Sequence, residues 1–479
     1  MERRQLDLLA GERFRLGDLR VPGGAPRGAA RFASVQWDSG DLRLAAWESG
    51  LRHRRGRGWR VTLLTEAAGS GMRRLHVDLP GPADHPPPQA LRLLSGYLRG
   101  ATVEPVARLR HLEGCVTVRG VRVVHRVVTL MEARRGVART RRVTLLPPGD
   151  PEAARRALSA LRRAGVAQAA EMPLLAELLG ARAAPVWRDE RPGPGIPVEG
   201  AVAAALRDCA ARLVRNQAVL LEGSDPEGVH QTRVACRRYR STLQTFAPLL
   251  VPAWEEELHE QLRDLADALG RVRDAEVLLM RLRAAAAGRG LEESAVAALL
   301  GGLAREREEA RDALLGRILS AEHGDQLDRI LAAAVAPAVL PEAAGRPARS
   351  ALMPLVTAGW HSLRRRIGRL DERPTDAALH RARIATKRCR YAVLAMVPLL
   401  GAEPARTATL LGRLQDTLGE QHDAVLAAAW LREHAGPETG FAAGVLFDVE
   451  RERAERGRGR WRKRWAAVDR REVWRWTRS

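Results

Sequence analysis

Two short stretches concentrate cations at spacings of three and four residues. His230, Arg233, Arg237 and Arg240 form the first, and His380, Arg383, Lys387 and Arg390 form the second. At about 100° per residue, each set of four falls within an arc of about 80° on one helix face. Tyr239, Leu243 and Phe246 lie opposite the first set, and Cys389, Val393 and Met396 lie opposite the second. Each stretch is therefore expected to be a helix that buries one face and presents a ladder of cations about 15 Å long on another. Neither ladder has acidic partners at i+4, in contrast to the mixed run Arg305–Glu309. Unpaired like charges repel, so the pattern asks for an anion carrying several charges. Arginine offers bidentate geometry to phosphate oxygens, lysine a compact point charge, and histidine a donor that gains charge near neutrality.

A single basic stripe is ordinarily a solvated helix face. Here the stripe recurs, with histidine leading both copies, at an offset of 150 residues. A second motif, Leu265–Asp274, recurs as Leu414–Asp423 at an offset of 149. Two motifs sharing nearly one offset point to a duplicated helical unit with pseudo-two-fold symmetry.

The elements that position the ladders follow from pattern. From Val198 onward the chain is rich in Ala, Leu, Arg and Glu with helical apolar spacing. Ser224–Glu227 reads as a capping box and Pro374-Thr375 opens the second ladder helix. Residues 191–197, dense in proline and glycine, form a linker. Before it, residues 1–148 show short alternating runs such as Gly58–Leu64 and Val121–Val128, expected as strands, with helices at about 88–98 and 151–180. The expected organisation is an α+β domain over 1–182, a linker over 183–197 and an all-α duplicated bundle over 198–479. Its repeats run over about 198–345 and 346–470.

Among 479 residues, 79 Lys+Arg face 57 Asp+Glu, a formal charge of +22. Such an excess fits a polyanionic partner: nucleic acid, a phosphate polymer or an anionic membrane. Only Lys387 and Lys463 are lysines. The arginine-, alanine- and glycine-heavy composition is what a GC-rich bacterial genome produces, so position rather than total charge carries the argument. Cys115, Cys209, Cys236 and Cys389 are scattered without CxxC spacing, which fits a reducing cytoplasm better than a disulfide framework or a structural zinc site. No apolar run of about 18 residues and no signal-like N-terminus is present.

The two ladders, with the Leu-Gly-x-x-x-Asp segments Leu269–Asp274 and Leu418–Asp423, resemble the conserved-histidine α-helical domain family, CHAD, over roughly residues 198–470. The resemblance implies two symmetric helical bundles around a central basic pore that binds inorganic polyphosphate. It implies His230, Arg233, Arg237, Arg238 and Arg240 with His380, Arg383, Lys387, Arg388 and Arg390 as pore-side ligands. Arg215, Arg271, Arg273 and Arg365 are secondary anion contacts. Glu420 and His422 stand where the first copy has Arg271 and Arg273, so the pore need not be symmetric in charge. Asp274 and Asp423 are expected to orient arginines.

Residues 1–180 resemble the CYTH, or triphosphate-tunnel, family through Trp37–Leu44, Gly50–Arg54 and Trp59–Leu63. Active members hold divalent metal on tunnel carboxylates and triphosphate on basic residues. The carboxylates are what this chain lacks. Its N-terminal signature falls on Glu2, Arg4 and Leu6, the expected lysine is Leu64, and the late strand reads Arg141–Leu145 without an acid. Metal-assisted phosphoryl chemistry needs those acids, so the domain is expected to be degenerate and non-catalytic, with no metal or other cofactor. Arg52 and Arg54 remain as anion contacts or simply as exposed strand arginines.

Residues 451–479 hold 12 Lys+Arg and 4 Asp+Glu, interleaved with Trp461, Trp465, Trp474 and Trp476. Arginine with aromatics can bind nucleic acid or a membrane surface, but Trp461 and Trp465 are also spaced to pack a last helix on the bundle. His76, His85 and His125 lack metal-ligand spacing, and no Walker loop, HExxH helix or nucleophile elbow occurs. The expected function is non-enzymatic polyphosphate binding, with targeting to polyphosphate granules. Nucleic-acid binding by the same cations is the alternative, and a metal-dependent tunnel triphosphatase a weaker one.

Overall fold

The period-two runs of the first 145 residues pair with one another, because each leaves one apolar face to bury. In the computed structural model, residues 6–10, 14, 27–67, 71–118, 121–132, 135–145, 151–168, 174–180, 187, 193, 195–223 and 227–477 are described. The chain divides into two units, Met1–Arg188 and Asp189–Ser479.

Among its described residues the first unit carries nine strands. They are β1 (Leu6–Ala10), β2 (Arg27–Asp38), β3 (Gly50–Arg54), β4 (Gly58–Ala67), β5 (Gly71–Leu79), β6 (Glu104–Val118), β7 (Val121–Glu132), β8 (Arg135–Leu145) and β9 (Val166–Gln168). They form one antiparallel half-barrel sheet in the order β5-β4-β3-β2-β6-β7-β8-β1-β9. Among the described residues four helices accompany it: α1 (Arg43–Ala46), α2 (Pro88–Leu98), α3 (Pro151–Arg163) and α4 (Leu174–Leu179). On one sheet face Leu8, Val123, Val143 and Leu145 pack against Ala157 and Leu161 of α3. On the other, Leu175 and Leu178 of α4 cover Leu109, Val128 and Leu130.

The helix expected over 151–180 is interrupted. Gly165 takes a φ of 81°, which ends α3 in a left-handed turn, and residues 166–168 then join the sheet beside β1 before α4 begins. Asp38 has a structural role. Its carboxylate accepts hydrogen bonds from the backbone N–H groups of Ser39, Leu44 and Ala45 at 2.7, 2.8 and 2.9 Å, closing the turn that starts α1.

The second unit is helical and duplicated in element order. Its first half holds α5 (Val198–Glu222), α6 (Glu227–Phe246), α7 (Pro252–Ala286), α8 (Glu293–Ile318) and α9 (Ala321–Val335). Its second half holds α10 (Ala348–Ile367), α11 (Asp376–Leu400), α12 (Ala402–His434), α13 (Gly440–Val468) and a 3₁₀ segment, Arg471–Thr477. In each half consecutive long helices pack in turn, and the closing element returns to the first helix. The faces expected to be apolar are buried: Tyr239, Leu243 and Phe246 on α6, and Cys389, Val393 and Met396 on α11. Thr375 caps α11, its hydroxyl accepting from Ala378 N–H at 3.2 Å. The cap expected for α6 falls on residues 224–226, outside the described residues. No helix among the described residues is long and apolar enough to cross a membrane.

The halves touch between α5 and α10, where Pro197 and Pro347 bridge just before the two helices, and they meet again in two further contacts. The ladder helices α6 and α11 pack on each other. Farther out, Leu279 and Leu282 of α7 and Leu299, Leu300 and Leu303 of α8 share a core with Ala427 and Leu431 of α12 and Leu446 of α13. Beside that core the buried Glu450 carboxylate receives Arg281 from α7 and Arg453, both at 2.6 Å. A buried charge held on two sides makes this junction specific.

Within the first half, buried His323 ties α9 to α5. Its ring nitrogens lie 2.9 Å from Gln217 Oε1 and 3.2 Å from Gln326 Oε1. Burial pushes the imidazole down to about 4. Because the folded value lies below the unfolded one near 6.5, the contribution is intact above pH 6.5 and is lost as pH falls toward 4. The full loss is roughly 3 kcal/mol. Urea unfolding followed by circular dichroism at pH 7 and pH 4.5 checks this. His323→Gln is expected to lose less stability between the two pH values than the parent, and equal losses would refute the assignment.

Candidate anion-binding site

The contact between α6 and α11 brings the two ladders together. Arg233, Arg237 and Arg240 of α6 line a cavity of about 210 Å³ with Lys387, which reaches in from α11. Ser241 and Gln244 extend the same stripe by one turn, and Ala266 and Asp267 of α7 complete the wall. These cations are crowded. Burial holds the Arg237 guanidinium below its usual range, and Arg233 and Arg383 push the same way. Lys387 falls to about 8, first through burial and then through Arg237, Arg240, Arg383 and Arg388. The four arginine contributions, added to burial, mark positive potential around the lysine.

The acids around the site are few and unevenly placed. Asp274 on α7 takes both amino groups of Arg233, at 2.7 and 3.3 Å. The same guanidinium packs over Gly270, one turn earlier, where a Cβ would stand at ordinary contact distance, 3.7 Å from Arg233 Nη2. The second copy repeats the glycine but not the pair. Arg383 lies against Gly419, where a Cβ would be 3.6 Å from its Nε, yet no carboxylate comes within ion-pair distance of Arg383 among the described residues. Arg390 passes still closer to a glycine, its Cζ 3.3 Å from where a Cβ of Gly412 would sit, and its Nε is buried without a hydrogen bond.

Histidines flank the ladders. His230 stands 4.0 Å from Glu227, and burial followed by Arg273, Arg233 and Arg237 lowers its affinity for a proton. His380 lies against His422 with ring centroids 4.4 Å apart, and His380 Nδ1 is buried without a partner. Burial, then His380 and Arg383, lower the His422 value. At the opposite end of the first ladder Arg240 donates to His259 Nε2 at 3.2 Å, while His259 Nδ1 faces Glu255 at 3.5 Å.

Not every expected ligand joins the site. Arg238 follows Arg237 by a further 100° of helix rotation and turns to α5, where it pairs with Asp208 at 2.8 Å. Arg388, its counterpart, is exposed on α11 outside the cavity wall. Arg273 pairs with Glu276 at 3.3 Å and acts on His230 through its charge. Arg271 and Arg365 are exposed, and Arg215 is partly buried on α5. Gln244, Ser241 and His259 were not anticipated. The ladder's own period, carried one more turn, would have found the first two, whereas His259 comes from another helix.

In the first unit the register sets Arg52 opposite Arg60 and Arg126 opposite Arg142. Most of these arginines are neutralised. Arg60 pairs with Asp78, Arg126 with Glu113 and Arg142 with Glu177 of α4. Arg52 sits among them and falls to about 10 through burial and then Arg60, Arg126 and Arg54. Arg54 lies over the Phe32 ring at 3.7 Å. Leu64 is in the core. Glu2 and Arg4 lie outside the described residues, among which no cluster of three His, Cys, Asp or Glu side chains could hold a metal ion.

The tryptophans of the C-terminal segment pack inward. Trp461, Trp474 and Trp476 are buried, and Trp360 of α10 lies 4.0 Å from Trp474 and 5.5 Å from Trp465. Trp476 Nε1 donates to Thr407 Oγ1 of α12 at 3.0 Å.

Residues 204–432 match the family model described as the CHAD domain. The helical unit is a CHAD domain. The uncharacterized protein Rv2226 of Mycobacterium tuberculosis is 29% identical over 342 residues, covering 66% of this chain and 61% of the relative. MT2285, from a second strain of that organism, gives the same figures. The chain thus spans about three fifths of the length of these curated relatives. Among solved structures, PptA from Streptomyces chartreusis is similar at 25% identity, covering 57% of this chain and all of that one, with a TM-score of 0.48. The CHAD domain of the plant Ricinus communis is similar at 24% identity, covering 61% and 96%, with a TM-score of 0.43. The half-barrel sheet that precedes the CHAD domain here is consistent with a CYTH-like tunnel domain.

Proposed function

We propose that the CHAD domain binds inorganic polyphosphate without transforming it and thereby attaches the protein to polyphosphate granules. The observation that carries this reading is the cavity in which Lys387 from one repeat joins Arg233, Arg237 and Arg240 from the other. Four cations from two helices suit a linear anion with a charge on every repeating unit. Arg383, without a carboxylate partner, and His380, with an unbonded Nδ1, continue the same track along α11.

The first unit is assigned no hydrolytic role. Asp78 and Glu113 on the sheet and Glu177 on α4 are occupied by arginines and so are poorly placed to hold a metal. Nucleic acid would use the same cations but gains most from stacking its bases on aromatic rings. Three of the four C-terminal tryptophans are buried, which leaves little for bases to stack on.

Competition at matched phosphate concentration and salt tests the reading. Long-chain polyphosphate is expected to displace labelled single-stranded DNA from the full chain far more effectively than the reverse, with no phosphate release from triphosphate in magnesium or manganese. Equal competition, or preferred retention of DNA, would sink the polyphosphate assignment.

A further inference from the structure

The CHAD domain carries a second cationic surface that the ladders do not use. From Arg456 to the end of α13 the helix holds six cations and no acid. Helix α8, its counterpart in the first half, balances four arginines against five acids. Arginine-rich background composition therefore does not account for the run, because the same fold position in the other repeat is neutral.

Tertiary contacts gather more charge around it. Arg364 of α10 pairs with Asp469 just beyond α13, at 3.2 Å. Arg462 donates to the backbone carbonyls of Asp371 and Glu372. The end of α10, the loop after it, the end of α13 and the final 3₁₀ segment thus form one face. Residues 364–373 contribute five exposed cations and residues 460–475 seven, against four acids in the two stretches together. Arg460, Lys463 and Arg464 share one side of α13, while Trp461 turns inward.

This face is continuous with the second ladder. Asp376, one helical turn before His380, accepts Gln421 of α12 and Arg458 of α13, both at 2.7 Å. His422, next to Gln421, lies against His380 with the two rings tilted by 41°. Arg458 thus stands beside the ladder, and Arg462 follows one turn, about 6 Å, along α13.

We propose that this face is a second binding segment for the polyanion, which leaves the ladder at its His380 end and continues over Arg460, Lys463, Arg464 and Arg471. The inference rests on the polyphosphate reading of the ladders and adds a direction of exit. A phosphate polymer fits the face better than a membrane or a nucleic acid. None of the large exposed apolar side chains lies in 364–373 or 456–475, so there is no anchor to enter a bilayer, and the nearby tryptophans are occupied with one another.

The test compares the full-length parent with a variant carrying Arg460→Gln, Lys463→Gln, Arg464→Gln and Arg471→Gln. Affinity is measured across a salt series for long-chain polyphosphate and for tripolyphosphate, which is too short to occupy both segments. The variant is expected to bind the long chain at least tenfold more weakly, with a salt slope lower by about 3 if each contact contributes about 0.7–0.9. Tripolyphosphate affinity is expected to stay unchanged, and replacing Arg460, Arg464 and Arg471 by lysine, with Lys463 left in place, to preserve long-chain binding. Unchanged long-chain affinity, equal loss for both ligands, or a loss confined to single-stranded DNA or anionic vesicles would overturn the second segment and leave the ladders standing. A parent chain that binds neither phosphate ligand overturns both readings.

Discussion

Replacing Arg233, Arg237, Arg383 and Lys387 together by glutamate is expected to lower polyphosphate affinity by at least about a thousandfold. Each charge-assisted contact contributes about 1.5–3 kcal/mol, and even with strong non-additivity four of them exceed the roughly 4 kcal/mol that such a loss requires. The reversal also presents like charge to every remaining cation's ligand. Folding should survive, because these side chains lie away from the buried faces of α6 and α11 and now repel one another in the free protein. Asp274→Asn supplies the control of opposite sign. It releases Arg233 from its carboxylate partner and is expected to raise affinity several-fold. Isothermal titration with circular dichroism on the same samples reads both changes. A folded quadruple variant with parental affinity would remove the ladders from the binding site.

The second large effect is a dependence of affinity on pH. His230 and His422 are held below the ordinary imidazole value in the free protein, chiefly by burial and then by neighbouring cations. A bound polyanion cancels that positive potential and raises both values, so binding takes up protons. Affinity is then greatest at low pH and falls as pH rises through the values of the complex. Up to about tenfold per pH unit is available for each proton taken up, or about 10–100-fold between pH 7 and pH 5 for the pair. The free fold behaves oppositely. The values of His230 and His422 lie below the unfolded value, so the stability they contribute is present above about pH 6.5 and declines on acidification. Above neutrality Lys387, at about 8, loses its charge and affinity falls further. Titrations from pH 5 to 9 should show a steep parental curve. The double variant His230→Gln, His422→Gln should be clearly shallower below pH 7, since His259 and His380 remain at the site, and Lys387→Arg should hold its affinity at pH 9. A parental curve that is flat from pH 5 to 7 would exclude proton uptake by these histidines.

The helical unit was readable because its information is local and repeated. Spacings of three and four fixed the ladder faces, and the near-constant offset tied the two copies together before any contact was known. What escaped detection depends on partners distant in sequence. Whether Arg238 joins the cavity or Asp208 is decided by α5, thirty residues away. That Arg233 is neutralised and Arg383 is not depends on how α7 and α12 pass their neighbours, although Asp274 and Asp423 occupy matching positions. The break within 151–180 turned on one glycine, Gly165, and on a vacant sheet edge that no helical pattern reveals. In the first unit, charge alternation announced strands, but only strand pairing and the approach of α4 showed that Arg60, Arg126 and Arg142 meet acids.

The cavity draws three cations from one repeat and the fourth from the other, and this shared construction has a historical consequence. A solitary repeat would present an incomplete set, and only two copies meeting along their histidine-bearing helices would reproduce it. The arrangement is that of a homodimer whose subunits have been joined end to end in one polypeptide. Covalent joining relaxed the demand that both subunits stay identical. One half can then carry a carboxylate clasp on its arginine while the other leaves its guanidinium without one and ends its last helix in cations. A symmetric dimer has identical ends, whereas the two ends of this duplicated domain differ in charge.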